Sequence, residues 1–109
     1  LTSLPENLGK LVNLKYLFLK NTQLTSLPES IGELVNLQEL CLSDTQLTSL
    51  PENLGKLVNL KHLDLSNNQL TSLDLCEKLV SRLREFHWKG NPLDEAEIKR
   101  IEKLMNTYL

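Results

Sequence analysis

Three consecutive stretches of this chain are near-copies of one another. Leu1 to Gln23 reads LTSLPENLGKLVNLKYLFLKNTQ, Leu24 to Gln46 reads LTSLPESIGELVNLQELCLSDTQ, and Leu47 to Gln69 reads LTSLPENLGKLVNLKHLDLSNNQ. A fourth stretch, Leu70 to Pro92, LTSLDLCEKLVSRLREFHWKGNP, keeps the length and several apolar positions but loses the Pro and the Gly of the others. Four blocks of 23 residues use 92 of the 109 and leave a tail of 17. A block this short cannot enclose its own apolar side chains, so the blocks must stack, each burying its leucines against the next. Leu makes up 28 of the 109 residues while Gly and Pro number four each, which excludes a collagen-like or disordered chain and leaves room for one core.

Each block has two halves. In one, apolar and polar residues alternate through Leu14, Leu17, Leu19 and on to Leu24, the L-x-x-L-x-L-x-x-N-x-L pattern of a short strand with one buried face. In the other, LPxxLGxLxxL, Pro5, Pro28 and Pro51 suit the first position of a helical or 3₁₀ return leg, where a missing N–H costs nothing. Gly9, Gly32 and Gly55 suit a tight bend near the end of that leg, and Leu8, Leu11, Leu54 and Leu57 are expected to point inward with the strand leucines.

On these motifs, from Leu1 to Leu93, the chain resembles the leucine-rich repeat proteins, and its LPxxLG half is similar to the 23-residue subclass found in intracellular Ras-group and bacterial members. The resemblance implies an α/β solenoid, a right-handed β-α superhelix with a short parallel sheet along its concave side, its repeats being residues 1–23, 24–46, 47–69 and 70–92. It also implies a ladder of Asn side chains at the ninth pattern position, capping backbone groups of adjacent coils. Asn68 and Asn91 match that position while Thr22 and Thr45 depart from it. A hydroxyl offers one donor where an amide offers two, so the ladder is expected to be thinner in the first two coils.

The tail, residues 94–109, reads as a C-terminal capping helix. Asp94 and Glu97 are spaced as an N-cap and third helical residue, Leu93 and Ile98 as a staple across that cap, and Ile98, Ile101, Leu104, Met105 and Tyr108 form one apolar stripe. That stripe is expected to cover the last coil, with Phe86 and Trp88 as core residues beneath it rather than as a ligand site. No comparable cap precedes Leu1, so Leu1, Leu4 and Leu8 are expected to face solvent from an open coil. The expectation is a chain that is the C-terminal part of a longer solenoid, or one that self-associates through its N-terminal end.

The first and third blocks differ at only four positions: Tyr16/His62, Phe18/Asp64, Lys20/Ser66 and Thr22/Asn68. All four are alternate residues, and alternate strand residues share a face. The same columns hold Glu39, Cys41 and Ser43 in the second block and Glu85, His87 and Lys89 in the fourth. Other exposed positions, such as Glu6/Glu52, Lys10/Lys56 and Asn13/Asn59, are identical between the first and third blocks, which favours diversified contact residues over drift. The candidate partner-binding face is therefore Tyr16, Phe18, Lys20, Glu39, Cys41, Ser43, His62, Asp64, Ser66, Glu85, His87 and Lys89. His62 is expected between Glu39 and Glu85, an arrangement that favours the charged imidazole and would tie binding to pH.

Other chemistries fit less well. Lys plus Arg, 12, nearly balance Asp plus Glu, 14, and no basic run appears, which argues against nucleic acid. A Cys41, Asp64, His87 column would put the carboxylate between thiol and imidazole, the wrong order for a nucleophile and its base, and an open sheet neither excludes water nor converges metal ligands tetrahedrally. No Gly-rich phosphate loop occurs, and with these arrangements no cofactor is expected and a metal-binding or enzymatic protein is the remote alternative. Cys41 and Cys76 lack disulfide or zinc spacing and are expected to be free thiols. No apolar run reaches membrane-spanning length, the opening LTSLPENLGK has no signal-peptide pattern, and the tail is cysteine-free and without a glycosylation sequon, together favouring the cytoplasm with a secreted bacterial protein as the alternative. The function these features imply is protein–protein interaction on the concave face. A small GTPase, another signalling protein or a host protein are the partners the resemblance suggests, and a self-associating structural segment is the rival.

Overall fold

A computed structural model describes residues 3–74 and 77–109. Leu1 and Cys76, on which two of the expectations above fall, lie outside the described residues.

Alternation in each block yields one three-residue strand: β1 Tyr16–Phe18, β2 Glu39–Cys41, β3 His62–Asp64 and β4 Glu85–His87. They form one parallel sheet in the order β1-β2-β3-β4, and the register joins residues 23 apart, Leu17 to Leu40 to Leu63 to Phe86 along the inward column. Three residues after each strand the backbone turns through the left-handed region, at Asn21 (φ 58°), Asp44 (φ 56°), Asn67 (φ 58°) and Gly90 (φ 83°). These are the residue types that tolerate positive φ, so the turn is encoded at the same place in every block.

The return legs of the first three coils are 3₁₀ segments, Glu6–Lys10, Glu29–Glu33 and Glu52–Lys56. Pro5, Pro28 and Pro51 do not occupy their first helical position. They stand one residue earlier in extended conformation, and their carbonyls accept from Leu8, Ile31 and Leu54, each at 3.1 Å. The glycines also work differently from the expected bend. A Cβ on Gly32 would lie 2.6 Å from the Asn53 carbonyl oxygen, and one on Gly9 would lie 2.8 Å from that of Ser30, so the requirement is close approach of successive legs. In the fourth block, whose return leg lacks the Pro and Gly of the others, that leg contains a short α-helix, α1 Glu77–Val80, and among the described residues a Cβ on Gly55 would meet the Lys78 side chain, at 3.8 Å.

The core runs through the stack. Leu24, Ile31, Leu34, Leu37, Leu40 and Leu42 are fully buried, as are Leu54, Leu57, Leu60, Leu63 and Leu65 one coil on. In the first coil Leu8, Leu14, Leu17 and Leu19 are only half-buried, and Leu11 is 53% exposed, against the expectation that it points inward. An end coil has a neighbour on one side only, so the same sequence position that is sealed at Leu34 and Leu57 is open at Leu11. Leu4, expected to face solvent, is half-buried, as Leu8 is.

At the other end α2, Glu95–Tyr108, closes the last coil. Asp94 caps it, its carboxylate accepting from the Glu97 N–H at 2.8 Å. Ile101 is fully buried and Ile98, Leu104 and Met105 pack against the core, with Phe86 and Trp88 beneath as expected, while Tyr108 lies exposed beyond the edge of the contact. Trp88 donates its indole N–H to Met105 Sδ at 2.9 Å. Arg100 ties α2 to the fourth coil through Asp74 (2.8 Å) and Glu77 (3.1 Å), and pairs within α2 with Glu97 (2.6 Å). Burial works against its positive charge, yet the hydrogen bond to Glu97 and the charges of Glu97, Asp74 and Glu77 outweigh it and raise its pKa.

Candidate functional site

Because inward positions of the strands are leucine or phenylalanine, the alternate residues turn away from the core and line up across the sheet. One column runs Tyr16, Glu39, His62, Glu85 and the next Phe18, Cys41, Asp64, His87, each residue in register with the next. Strand neighbours lie about 4.8 Å apart, so each column is a continuous line of side chains about 14 Å long. Tyr16 is 51% and Phe18 62% exposed, large fractions for aromatic side chains. A shallow depression of about 260 Å³ is lined by Phe18, Glu39, Cys41, His62, Asp64, Glu85 and His87 together with Leu40 and Leu63, so it draws on all four strands.

The third column departs from expectation at its centre. Lys20 and Lys89 are exposed at its two ends and Ser66 is half-buried, but Ser43 is only 4% exposed, with its hydroxyl 3.5 Å from Cys41 Sγ. A small side chain flanked by neighbouring coils on both sides is covered by them, so Ser43 does not belong to the accessible face. Ser66 donates through both its N–H (3.0 Å) and its hydroxyl (2.6 Å) to Asp64 Oδ1, which fixes that carboxylate at the exit of β3.

The charged groups are arranged differently from the expected Glu39–His62–Glu85 sandwich. Glu85 Oε2 lies 3.8 Å from His62 Nδ1, across the strands, and 3.4 Å from His87 Nε2, along its own strand. One carboxylate thus stands between two imidazoles, and Glu39 makes no ion pair among the described residues. Glu85 has an imidazole on each of two sides, whereas the neighbours of Glu39 in its column are Tyr16 and His62, and His62 already leans to Glu85.

Cys41 Sγ lies 3.9 Å from Asp64 Oδ2 and has no imidazole partner among the described residues; His87 is engaged by Glu85. A thiol beside a carboxylate, with no base in reach and no enclosure, is not an assembled nucleophile. No group of three or more His, Cys, Asp and Glu side chains among the described residues is placed to hold a metal ion, and no described helix is long and apolar enough to cross a membrane.

The ladder beside this face follows the Asn/Thr difference. Asn68 donates to Leu65 and Leu42 carbonyls and accepts from the Leu47 N–H; Asn91 repeats this with Trp88, Leu65 and the Leu70 N–H. Thr22 and Thr45 each donate to the carbonyl three residues back in their own coil, at Leu19 and Leu42, and Thr45 alone of the two reaches the next coil, at Asn68 Oδ1. A second ladder escaped the sequence reading. Asn36 donates to the Val12 carbonyl and Asn59 to that of Val35, both at 2.8 Å, so the Asn shared by the blocks at this position has a structural task. The 23-residue recurrence of Asn within LVNL was the available signal.

A family model described as a leucine-rich repeat region matches residues 3–106. Among solved structures, a leucine-rich repeat protein of Leptospira interrogans, LIC12759, is 37% identical with a TM-score of 0.89, the match covering 99% of this chain and 28% of that one. A plant peptide hormone receptor, RGFR1, in complex with RGF2 is 34% identical with a TM-score of 0.73, covering 84% of this chain and 15% of the receptor. An internalin (inlF) of Listeria monocytogenes shares the fold at 21% identity and a TM-score of 0.81, covering 95% of this chain and 30% of the internalin. The chain thus spans less than a third of the length of each. No curated protein matches it by sequence.

Proposed function

This chain belongs to the leucine-rich repeat family, and on that premise we propose that it is a protein-binding module whose open sheet face takes a segment of a partner protein. The observation that carries the reading is the in-register column Phe18, Cys41, Asp64, His87 beside Tyr16, Glu39, His62, Glu85: two of the four positions at which the first and third blocks differ, Tyr16/His62 and Phe18/Asp64, lie side by side on one surface that includes a shallow depression. Exposed aromatics of this kind carry a large share of binding energy at protein interfaces. The plant receptor, solved with RGF2, is a relative for which recognition of a peptide is the named role. We assign the module no catalytic step, since the thiol lacks a base and the face is open.

Changing Tyr16 and Phe18 together to Ala tests this. Both are exposed, so the melting temperature is expected to stay within a few degrees of the parent while capture of a partner by immobilised protein is lost. Capture undiminished by the double change would overturn the reading.

A second reading rests on a separate observation, the half-open first coil, where Leu11 is 53% exposed and β1 has a strand neighbour only in β2. It makes that end a packing surface for further coils or for another copy, and it predicts a concentration-dependent rise in mass by sedimentation that Leu11→Lys abolishes.

A further inference from the structure

The open face is chemically polarised, and its polarity describes an occupant. Tyr16 and Phe18 stand alone on β1, both more than half exposed, whereas the carboxylates of the two columns, Glu39, Asp64 and Glu85, stand on β2, β3 and β4. None of the three is paired with a lysine or arginine among the described residues; Glu85 is met only by imidazoles, and Asp64 by a serine and, distantly, a thiol. Lys20 and Lys89 lie in the third column, at its two ends, with the buried Ser43 and the half-buried Ser66 between them in the repeat. A cationic group is therefore drawn to the first two columns and repelled from the third.

Resting on the reading of this face as a binding surface, we propose that its occupant is an extended peptide segment running across the strands. It carries an aromatic or large aliphatic side chain seated on Tyr16 and Phe18, and a Lys or Arg about three residues away over Glu39, Asp64 and Glu85. The spacing follows from the sheet. Two strand steps of about 4.8 Å separate β1 from β3, about 10 Å, and an extended chain advances about 3.3 Å per residue. The crossing direction follows from where the chemistry lies: a single strand offers only two outward positions, and the apolar and acidic ends are separated across strands. The depression between them, about 260 Å³, has room for side chains of the occupant without any movement of the backbone.

The experiment is selection of a phage-displayed random dodecapeptide library on the immobilised chain, followed by titration of the enriched peptides as synthetic probes. The expected result is enrichment of peptides with an aromatic or large aliphatic residue and a Lys or Arg about three positions apart. Their dissociation constants should rise tenfold or more with Glu39→Gln, Asp64→Asn and Glu85→Gln combined, and by a similar factor with Tyr16→Ala and Phe18→Ala combined. Asn at position 64 keeps an acceptor for Ser66, and the same loss must appear when only the peptide's Lys or Arg is changed to Gln, which leaves the fold of the protein out of the comparison. Peptides that need Tyr16 and Phe18 but carry no basic residue, or bind the amide variant unchanged, overturn this inference and leave the binding face standing. Peptides indifferent to all five substitutions overturn both. Absence of any enrichment overturns the short extended occupant.

Discussion

The side-chain amide of Asn68 donates to the backbone carbonyl of Leu42 at 2.8 Å, a bond that spans 26 residues of sequence and joins two adjacent coils. The same side chain accepts from the Leu47 N–H at 3.0 Å and is itself 2% exposed, so its removal strands buried backbone groups on both sides. Asn68→Thr, which retains only the type of bond that Thr45 makes within its own coil, is expected to cost about 1–3 kcal/mol. Urea denaturation measures it, and a midpoint equal to the parent's would mean the ladder carries no stability.

Gly32 and Gly55 occupy the same place in successive repeats yet should respond oppositely to alanine. At Gly32 the new methyl meets Asn53 backbone at 2.6 Å and the coils must separate, at a cost of about 1–3 kcal/mol. At Gly55 the nearest atom among the described residues is a lysine methylene at 3.8 Å, and on that contact loss of unfolded-state freedom should leave stability unchanged or raised by up to about 1 kcal/mol. Parallel thermal melts of Gly32→Ala and Gly55→Ala decide it; two equal shifts would contradict the close-approach explanation.

Arg100 meets two carboxylates of the fourth coil, Asp74 and Glu77, and one of its own helix, Glu97, so Arg100→Met should loosen α2 from the fourth coil and cost about 1–2 kcal/mol, more than an isolated surface pair. Because the charges are partly exposed, the difference from the parent should shrink as salt rises to 1 M. A difference independent of salt would locate the effect in packing of the arginine stem instead.

Ile101 is the one fully buried residue of α2, and Trp88, the only tryptophan of the chain, lies beneath the helix against Met105. Ile101→Ala is expected to cost about 2–5 kcal/mol. In mild denaturant the variant's tryptophan emission should shift to the red before the far-ultraviolet circular dichroism of the coils is lost. Coincident transitions by the two probes would show that cap and coils unfold as one unit.

What could be read in the sequence was whatever depends on period alone. Equivalent residues 23 apart had to stack, and that put Phe18, Cys41, Asp64 and His87 in one line, Phe86 and Trp88 inside, and the thinner ladder at Thr22 and Thr45, because each follows from translating one block onto the next. Tertiary structure decided everything that depends on which neighbours a position has. Leu11 is open where Leu34 and Leu57 are sealed, Ser43 is covered where its column was expected to be accessible, and among the described residues identical glycines meet a carbonyl in one coil and a lysine methylene in another. His62 stands between Glu39 and Glu85 in the sheet, as expected, but pairs with Glu85 alone, which it shares with His87. Side-chain reach and the different neighbours that each coil has break the symmetry that the repeat imposes, and neither is written in the period.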